Sequence, residues 1–435
     1  MELNNKKTIR AWTYYDWANS AYSLIITSAI FPAYYTAIVP KEIELAGFKI
    51  LSSSLASYSI SFSFLIIALL SPLLSAIADL KKSKKQFMKF FCYMGALACI
   101  GLFFFKKNDL GNVNLSWGIF CSVVASIGFC GSIVFYNAFL PEIATKDKQD
   151  EVSAKGFAMG YIGSVILMLA CLAFILMNEH LDWQLGSLPV RLSFIVVGVW
   201  WILFAQITFK ALKETQNKFE IQSKNFLTFE YKNLLKVWDN LKQYQKLKKY
   251  LLAFFFYNMG VQTVMYMATY FAADELKLET TQLLIVVLLI QLVAIVGAWM
   301  LAKISNHYGN NTSLILLVLI WIGICIAAYF IQTVNQFYAL ATTVGFVMGG
   351  TQSLSRSTYS KLLPTTSDTA SYFSFYDVCD KVGIVIGTLS FGLIAQMMGS
   401  MRNSTLGLLF FFIVGMIFLF QLKGKDKQNG LDMLC

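Results

Sequence analysis

Lysine and arginine are divided so unevenly along this chain that they set its class before any motif is read. Twelve apolar runs are expected to span a membrane, at 15–39, 54–78, 87–105, 115–140, 157–177, 190–209, 250–272, 281–301, 313–331, 337–355, 372–397 and 405–422. A helix needs about 17–25 apolar residues to cross roughly 30 Å of hydrocarbon, and these runs have that length. Assigning the intervening segments alternately to two sides, with Lys89 and Arg191 at the run ends counted in the adjoining segments, places 27 of the 35 Lys and Arg on the side of the N-terminus and 7 on the other, and leaves Lys381 deep inside a span. Short cytoplasmic loops are enriched in these residues, so both termini are expected to be cytoplasmic. Backbone groups in lipid must find partners within their own segment, so each run is expected to be a helix. The fold class is an all-α membrane protein.

The chain is 57% hydrophobic and 14% charged, against about a quarter charged in soluble proteins. Its net charge of +11 sits mostly in loops that flank apolar spans. That placement suits anionic lipid and argues against nucleic acid. Cys92, Cys99, Cys121, Cys130, Cys171, Cys325 and Cys379 lie in apolar stretches, and Cys435 ends the chain. They read as small buried hydrophobes, not disulfides or metal ligands. The start, MELNNKKTIR, runs into an apolar span without a small-residue cleavage site, so no cleavable signal is expected. There is no Ser-His-Asp set, phosphate-binding glycine loop or HExxH. His180 and His307 fall on opposite sides in this topology, which excludes a shared metal site. The chain is therefore expected to be neither enzyme nor metalloprotein, and to need no cofactor. A monomer is expected, with the lipid bilayer and a small-molecule substrate as its partners.

The largest interruption, 210–249, carries ten Lys and separates two sets of six runs. It divides the chain into 1–209, a linker, and 250–435. Phe229, Leu234, Leu235, Val237, Trp238, Leu241 and Leu247 recur at roughly helical spacing. The linker is either an amphipathic helix on the membrane surface or a solvated basic segment.

Six runs, a linker and six runs resemble the major facilitator superfamily. The loop SPLLSAIADLKKSKK is similar to that superfamily's Gly–Asp–Gly–basic loop motif, with Asp79 as the acid and Lys84 and Lys85 as basic residues. Ala302, Asn306 and Gly309 occupy the corresponding positions of the second half. WTYYDWANSAYSLIITSAIFPAYY, FYNAFLPEIA, FFFYNMGVQT, GGTQSLSRSTYSKLLP and SFYDVCDKVGIVIG are similar to the vacuole-effluxer-like branch, also called the unknown major facilitator family. The resemblance implies a secondary transporter whose central cavity opens alternately to each side, and for fungal relatives efflux of amino acids from the vacuole. It also implies that Asp79 meets the start of helix 11, near Thr369–Tyr372, when the cytoplasmic side is closed. The chain departs from the family pattern at Met259, where an acid is expected, and at Asp380, where a small residue is usual.

Charge within a span costs about 2.5–3.5 kcal/mol on insertion scales, so ionisable residues there face a cavity or a partner. Asp377, Asp380 and Lys381 share one face of helix 11, with Asp377 and Lys381 at i,i+4. That spacing leaves Asp380 as the odd charge: a proton site with a raised pKa, or one member of a structural ion-pair knot. Asp16 opens helix 1 and either complements its N-terminus or lines a cavity or gate. Asn19 is deeper and needs a partner. Asn258, Gln262 and Tyr266 form a polar stripe on helix 7, for substrate or for packing. Gln352 lies on helix 10 and Asn137 on helix 4. Arg356 and Glu142, at the cytoplasmic ends of those helices, suit a gate or the headgroup level. Gly156/Gly160 and Gly383/Gly387 have the small-xxx-small spacing of closely packed helices. The expected function is transport of a small polar solute, with amino-acid efflux first and proton coupling possible in principle. A drug or sugar carrier, or a non-transporting receptor or scaffold, is the alternative. The expected site is the bacterial inner membrane, or a vacuolar or other organelle membrane in a eukaryote.

Overall fold

In a computed structural model, residues 2–45, 48–108, 112–181, 184–214 and 244–422 are described. They form twelve long helices: α1 (Lys6–Ile38), α2 (Ser52–Leu80), α3 (Lys84–Gly101), α4 (Leu115–Ala138), α5 (Gln149–His180), α6 (Leu188–Ala211), α7 (Gln245–Glu275), α8 (Thr280–Tyr308), α9 (Asn310–Phe330), α10 (Val334–Leu362), α11 (Thr369–Met398) and α12 (Met401–Leu422). Eleven are long and apolar enough to cross a membrane. The exception is α10, which at 29 residues has the length but buries Ser353, Ser355, Arg356, Ser357, Thr358 and Ser360 along its last turns. Those groups face protein, so their cost in lipid does not arise. The amphipathic segment expected in the linker falls mainly on 215–243, outside the described residues.

Several helices run beyond their apolar stretch. α1 begins at Lys6, where the Asn5 side chain accepts hydrogen bonds from the backbone N–H groups of Lys7 (3.0 Å) and Thr8 (3.2 Å). Its middle, Tyr22–Ala29, is π-helical. α5 begins eight residues before its expected start, because its first two turns bury Gln149, Asp150 and Ser153 against other helices. Between α1 and α2, two short antiparallel strands, β1 (Glu42–Leu45) and β2 (Phe48–Leu51), pair with Glu42 opposite Leu51.

The packing repeats after six helices. α1 lies against α5 and α6, as α7 lies against α11 and α12. α3 packs on α4 and α6, as α9 packs on α10 and α12; α2 meets α4, as α8 meets α10. Across the two sets, α2 meets α11 as α5 meets α8, and α4 meets α11 as α5 meets α10. Large apolar side chains such as Leu69, Phe90, Phe120, Leu203, Leu292 and Phe410 point outward, as a lipid-facing surface requires. A glycine of each pair sits at a close approach. A Cβ on Gly160 would stand 2.4 Å from the Ser20 hydroxyl of α1, and one on Gly387 would stand 2.1 Å from the Thr263 hydroxyl of α7.

Just after α6, the Glu214 carboxylate accepts the backbone N–H of Lys85 at the start of α3 (2.9 Å), and Lys85 Nζ donates to the Leu212 carbonyl (2.7 Å). Burial pushes the Glu214 carboxyl above its ordinary range.

Candidate functional site

Buried polar groups join the two six-helix sets on the side that carries the N-terminus, here called the basic side. Arg356 of α10 lies at the centre, 3% exposed. Its Nε donates to Ser153 Oγ (2.9 Å), Nη1 to Asp16 Oδ2 (3.2 Å) and Asn137 Oδ1 (3.3 Å), and Nη2 to Asp16 Oδ2 (3.3 Å) and the Ser153 carbonyl (2.8 Å). The Tyr136 hydroxyl also donates to Asp16 Oδ2 (2.7 Å). The guanidinium stands over the rings of Phe157 (4.1 Å), Trp12 (4.9 Å) and Tyr136 (5.5 Å). Gly156 makes room for the pair: a Cβ there would be 2.4 Å from Asp16 Oδ2 and 2.8 Å from Arg356 Nη2.

This geometry corrects one expectation. Asp16 does not open its helix; it lies beyond the second turn of α1, where the field of the helix N-terminus has faded. Its partner is Arg356. Glu142, the other gate candidate, pairs with Lys84 Nζ, while Thr369 Oγ1 donates to it (3.0 Å). Lys84 also donates to Thr369 Oγ1 (2.9 Å), which ties α3 and α4 to the start of α11.

Asp79, at the end of α2, reaches the first turn of α11, where the resemblance placed it. It accepts the backbone N–H groups of Ala370 (3.2 Å) and Ser371 (2.7 Å) and the Ser371 hydroxyl (2.7 Å). A carboxylate there satisfies free amide donors and complements the helix field. The second half reverses the roles. The acid is Asp150, in the first turn of α5, which accepts from Ser305 Oγ (3.1 Å), Asn310 Nδ2 (2.7 Å) and Lys361 Nζ (2.5 Å). Asp79→Asn should weaken closure of this side by about 1–2 kcal/mol, roughly a 5–30-fold population shift. Labelling of a thiol placed at the buried Ser374 should rise accordingly, and unchanged labelling would reject a closing role for Asp79.

A second polar cluster lies deeper, between α7 and α11. Asp380 accepts from Asn258 Nδ2 (2.7 Å), Gln262 Nε2 (2.9 Å) and Lys381 Nζ (2.6 Å). Lys381 stands 3.6 Å from Asp377 Oδ1, and Asp377 Oδ2 has no hydrogen-bond partner among the described residues. The odd carboxylate is thus Asp377 and not Asp380. The flexible lysine stem turns to the acid that two α7 amides already hold, which helical spacing alone does not foresee. Lys381 Nζ also lies 5.6 Å from the Phe64 ring of α2, which contacts Tyr266 at 6.4 Å between centroids. Gln352 Oε1 accepts from the Tyr161 hydroxyl of α5 (2.6 Å), a further bond between the sets. Asn19 is buried, and its Nδ2 has no partner among the described residues.

The expected residues on helices 1, 4, 7, 10 and 11 therefore fall into two groups, Asp16, Asn137 and Arg356 in one and Asn258, Gln262, Asp377, Asp380 and Lys381 in the other. Sequence reasoning missed Ser153, Tyr161, Asp150, Lys361, and the pairing of Lys84. Asp150 sits among other charges in KDKQDE and carries no local mark. The Gly156/Gly160 spacing was the available hint that α5 approaches α1 closely.

A twelve-helix bundle that repeats after six helices, bolted on one side by buried ion pairs, with charge held in its interior, is a transporter of the major facilitator type. Solved structures of that fold match it. The Escherichia coli fucose:proton symporter FucP aligns with TM-score 0.67 at 16% identity over 96% of this chain and 98% of its own. The proton:xylose symporter XylE, bound to 6-bromo-6-deoxy-D-glucose, aligns with TM-score 0.73 at 12% identity over 95% of each chain. At such identities the likeness shows the fold. Within that class, the chain belongs to the vacuole effluxer Atg22 like family, whose pattern matches residues 4–429. The uncharacterized MFS-type transporter YxiO of Bacillus subtilis is 32% identical over 421 residues, 95% of this chain and 94% of its own. Autophagy-related protein 22 of Yarrowia lipolytica is 24% identical over 482 residues, 90% of this chain and 79% of its own.

Proposed function

We propose that this protein exports amino acids or closely related zwitterionic metabolites by alternating access, with its two six-helix domains, 1–209 and 250–435, rocking about the interior cluster. The observation that supports this most is Lys381 held between Asp380 and Asp377, with one Asp377 oxygen unpaired. The Lys381 ammonium and the unpaired Asp377 oxygen side by side complement the two charges of a zwitterion. Exchange of a proton on this acid pair is the coupling step of the reading. The buried contacts of Arg356, Asp79 and Lys84 act in it as the closed gate.

Counterflow in proteoliposomes tests the proposal. Liposomes preloaded with unlabelled amino acids should accumulate the labelled one, and an imposed pH gradient should drive net movement. Failure with all amino acids, alongside counterflow of a sugar, would replace this reading with that of a sugar carrier.

The reading places the basic side in the cytoplasm of the plasma membrane. A thiol at Asn217→Cys should be protected from an impermeant reagent outside intact cells, whereas one at Asp182→Cys should react. The reverse pattern would invert the topology.

A further inference from the structure

Among the described residues, Arg356 supplies the only side chain from the second set of helices in its ion-pair site, where the Ser353 carbonyl of α10 also accepts from Ser153 Oγ (2.8 Å). Trp12 and Asp16 belong to α1, Tyr136 and Asn137 to α4, and Ser153 and Phe157 to α5. These six residues satisfy all three guanidinium nitrogens and cover the group with aromatic rings. Much of the box is held together without Arg356. Trp12 Nε1 donates to the Tyr136 carbonyl (3.0 Å), the two rings stack at 4.3 Å, and the Tyr136 hydroxyl fixes Asp16. Withdrawal of α10 would therefore leave a preformed carboxylate-and-aromatic receptor on the basic side, shaped for a planar cation.

We propose that this box is a binding site for small solutes bearing a guanidinium group. Arg356 fills it when the basic side is closed, and an organic cation arriving from that side fills it when the side opens. The solute then competes with the protein's own arginine, and binding holds the gate open for loading. A ligand that binds one state shifts the equilibrium only by its preference for that state, and here the preference is absolute, because the two occupants exclude each other. The open state belongs to the transport cycle proposed above, and the site rests on that reading.

Methylguanidinium chloride is the probe, applied to the full-length protein in lipid nanodiscs. In Arg356→Ala the vacant box should bind it, raising the melting temperature by roughly 2 °C. Urea, which has the same planar shape without charge, and sodium chloride at equal concentration should have no effect. The rise should vanish when Asp16→Asn is added. If Arg356→Ala does not fold, a second measurement decides. In an otherwise unaltered chain with Ser357→Cys, methylguanidinium should increase labelling from the basic side by about threefold. Absence of both effects, or equal effects of urea, would overturn the proposal. Neither readout needs transport, so failure of counterflow and failure of this site are separate results.

Discussion

Asp16→Ala is expected to leave the basic side open. The substitution strands a guanidinium that is 3% exposed and keeps only neutral partners, Ser153 and Asn137. Removing one member of a buried pair costs about 3–5 kcal/mol. That cost falls on the closed state alone, because in the open state the guanidinium regains water. The population should shift by roughly a hundred- to several-thousand-fold. A thiol at Ser357, which is fully buried in the closed state, should become reactive from that side, and net transport should be lost. Adding Arg356→Met should recover much of the closure. Its apolar stem can occupy the space between Trp12 and Phe157, and no charge is left unpaired. A double variant as open as the single one would show that the two residues do not act as a pair.

Lys381→Ala is expected to have the larger effect on folding itself. Asp377 and Asp380 would remain in the membrane interior without a cation, one turn apart on the same helix. Two uncompensated carboxylates at that depth cost several kcal/mol between them. The yield of folded protein in detergent and its melting temperature should both fall sharply. The rescue has a direction. Lys381 is 2.6 Å from Asp380 and 3.6 Å from Asp377, so Lys381→Ala with Asp380→Asn should recover more than Lys381→Ala with Asp377→Asn. Sequence spacing alone favours the opposite order, through the i,i+4 pair. Equal recovery, or better recovery with Asp377, would restore that simpler pairing.

Both predictions concern groups whose importance the sequence announces and whose partners it does not name. An ionised side chain inside an apolar run is conspicuous because lipid cannot solvate it, so Asp377, Asp380 and Lys381 stand out in the sequence. Which carboxylate the lysine selects depends on Asn258 and Gln262, more than a hundred residues earlier, which pre-orient Asp380. Helix 10 illustrates the converse. Its membrane length is visible in the sequence, yet its last turns are polar, and only their burial against other helices explains why they are tolerated.

What the sequence determined by itself is whatever depends on local properties and on the bilayer as solvent. The number and length of the apolar runs, the basic bias of alternate loops, and the glycine spacings that permit close helix contact are of this kind, because hydrocarbon thickness and backbone hydrogen bonding act on each segment separately. The loop motif at Asp79 carried its partner with it through family resemblance. The polar contacts between the two sets of helices were decided by tertiary structure. Asp16 and Arg356 are 340 residues apart, and Lys84 and Thr369 are 285 apart. No periodicity links such positions; they meet because two sets of helices fold back on each other and Gly156 lets α5 approach α1 closely enough for the ions to touch.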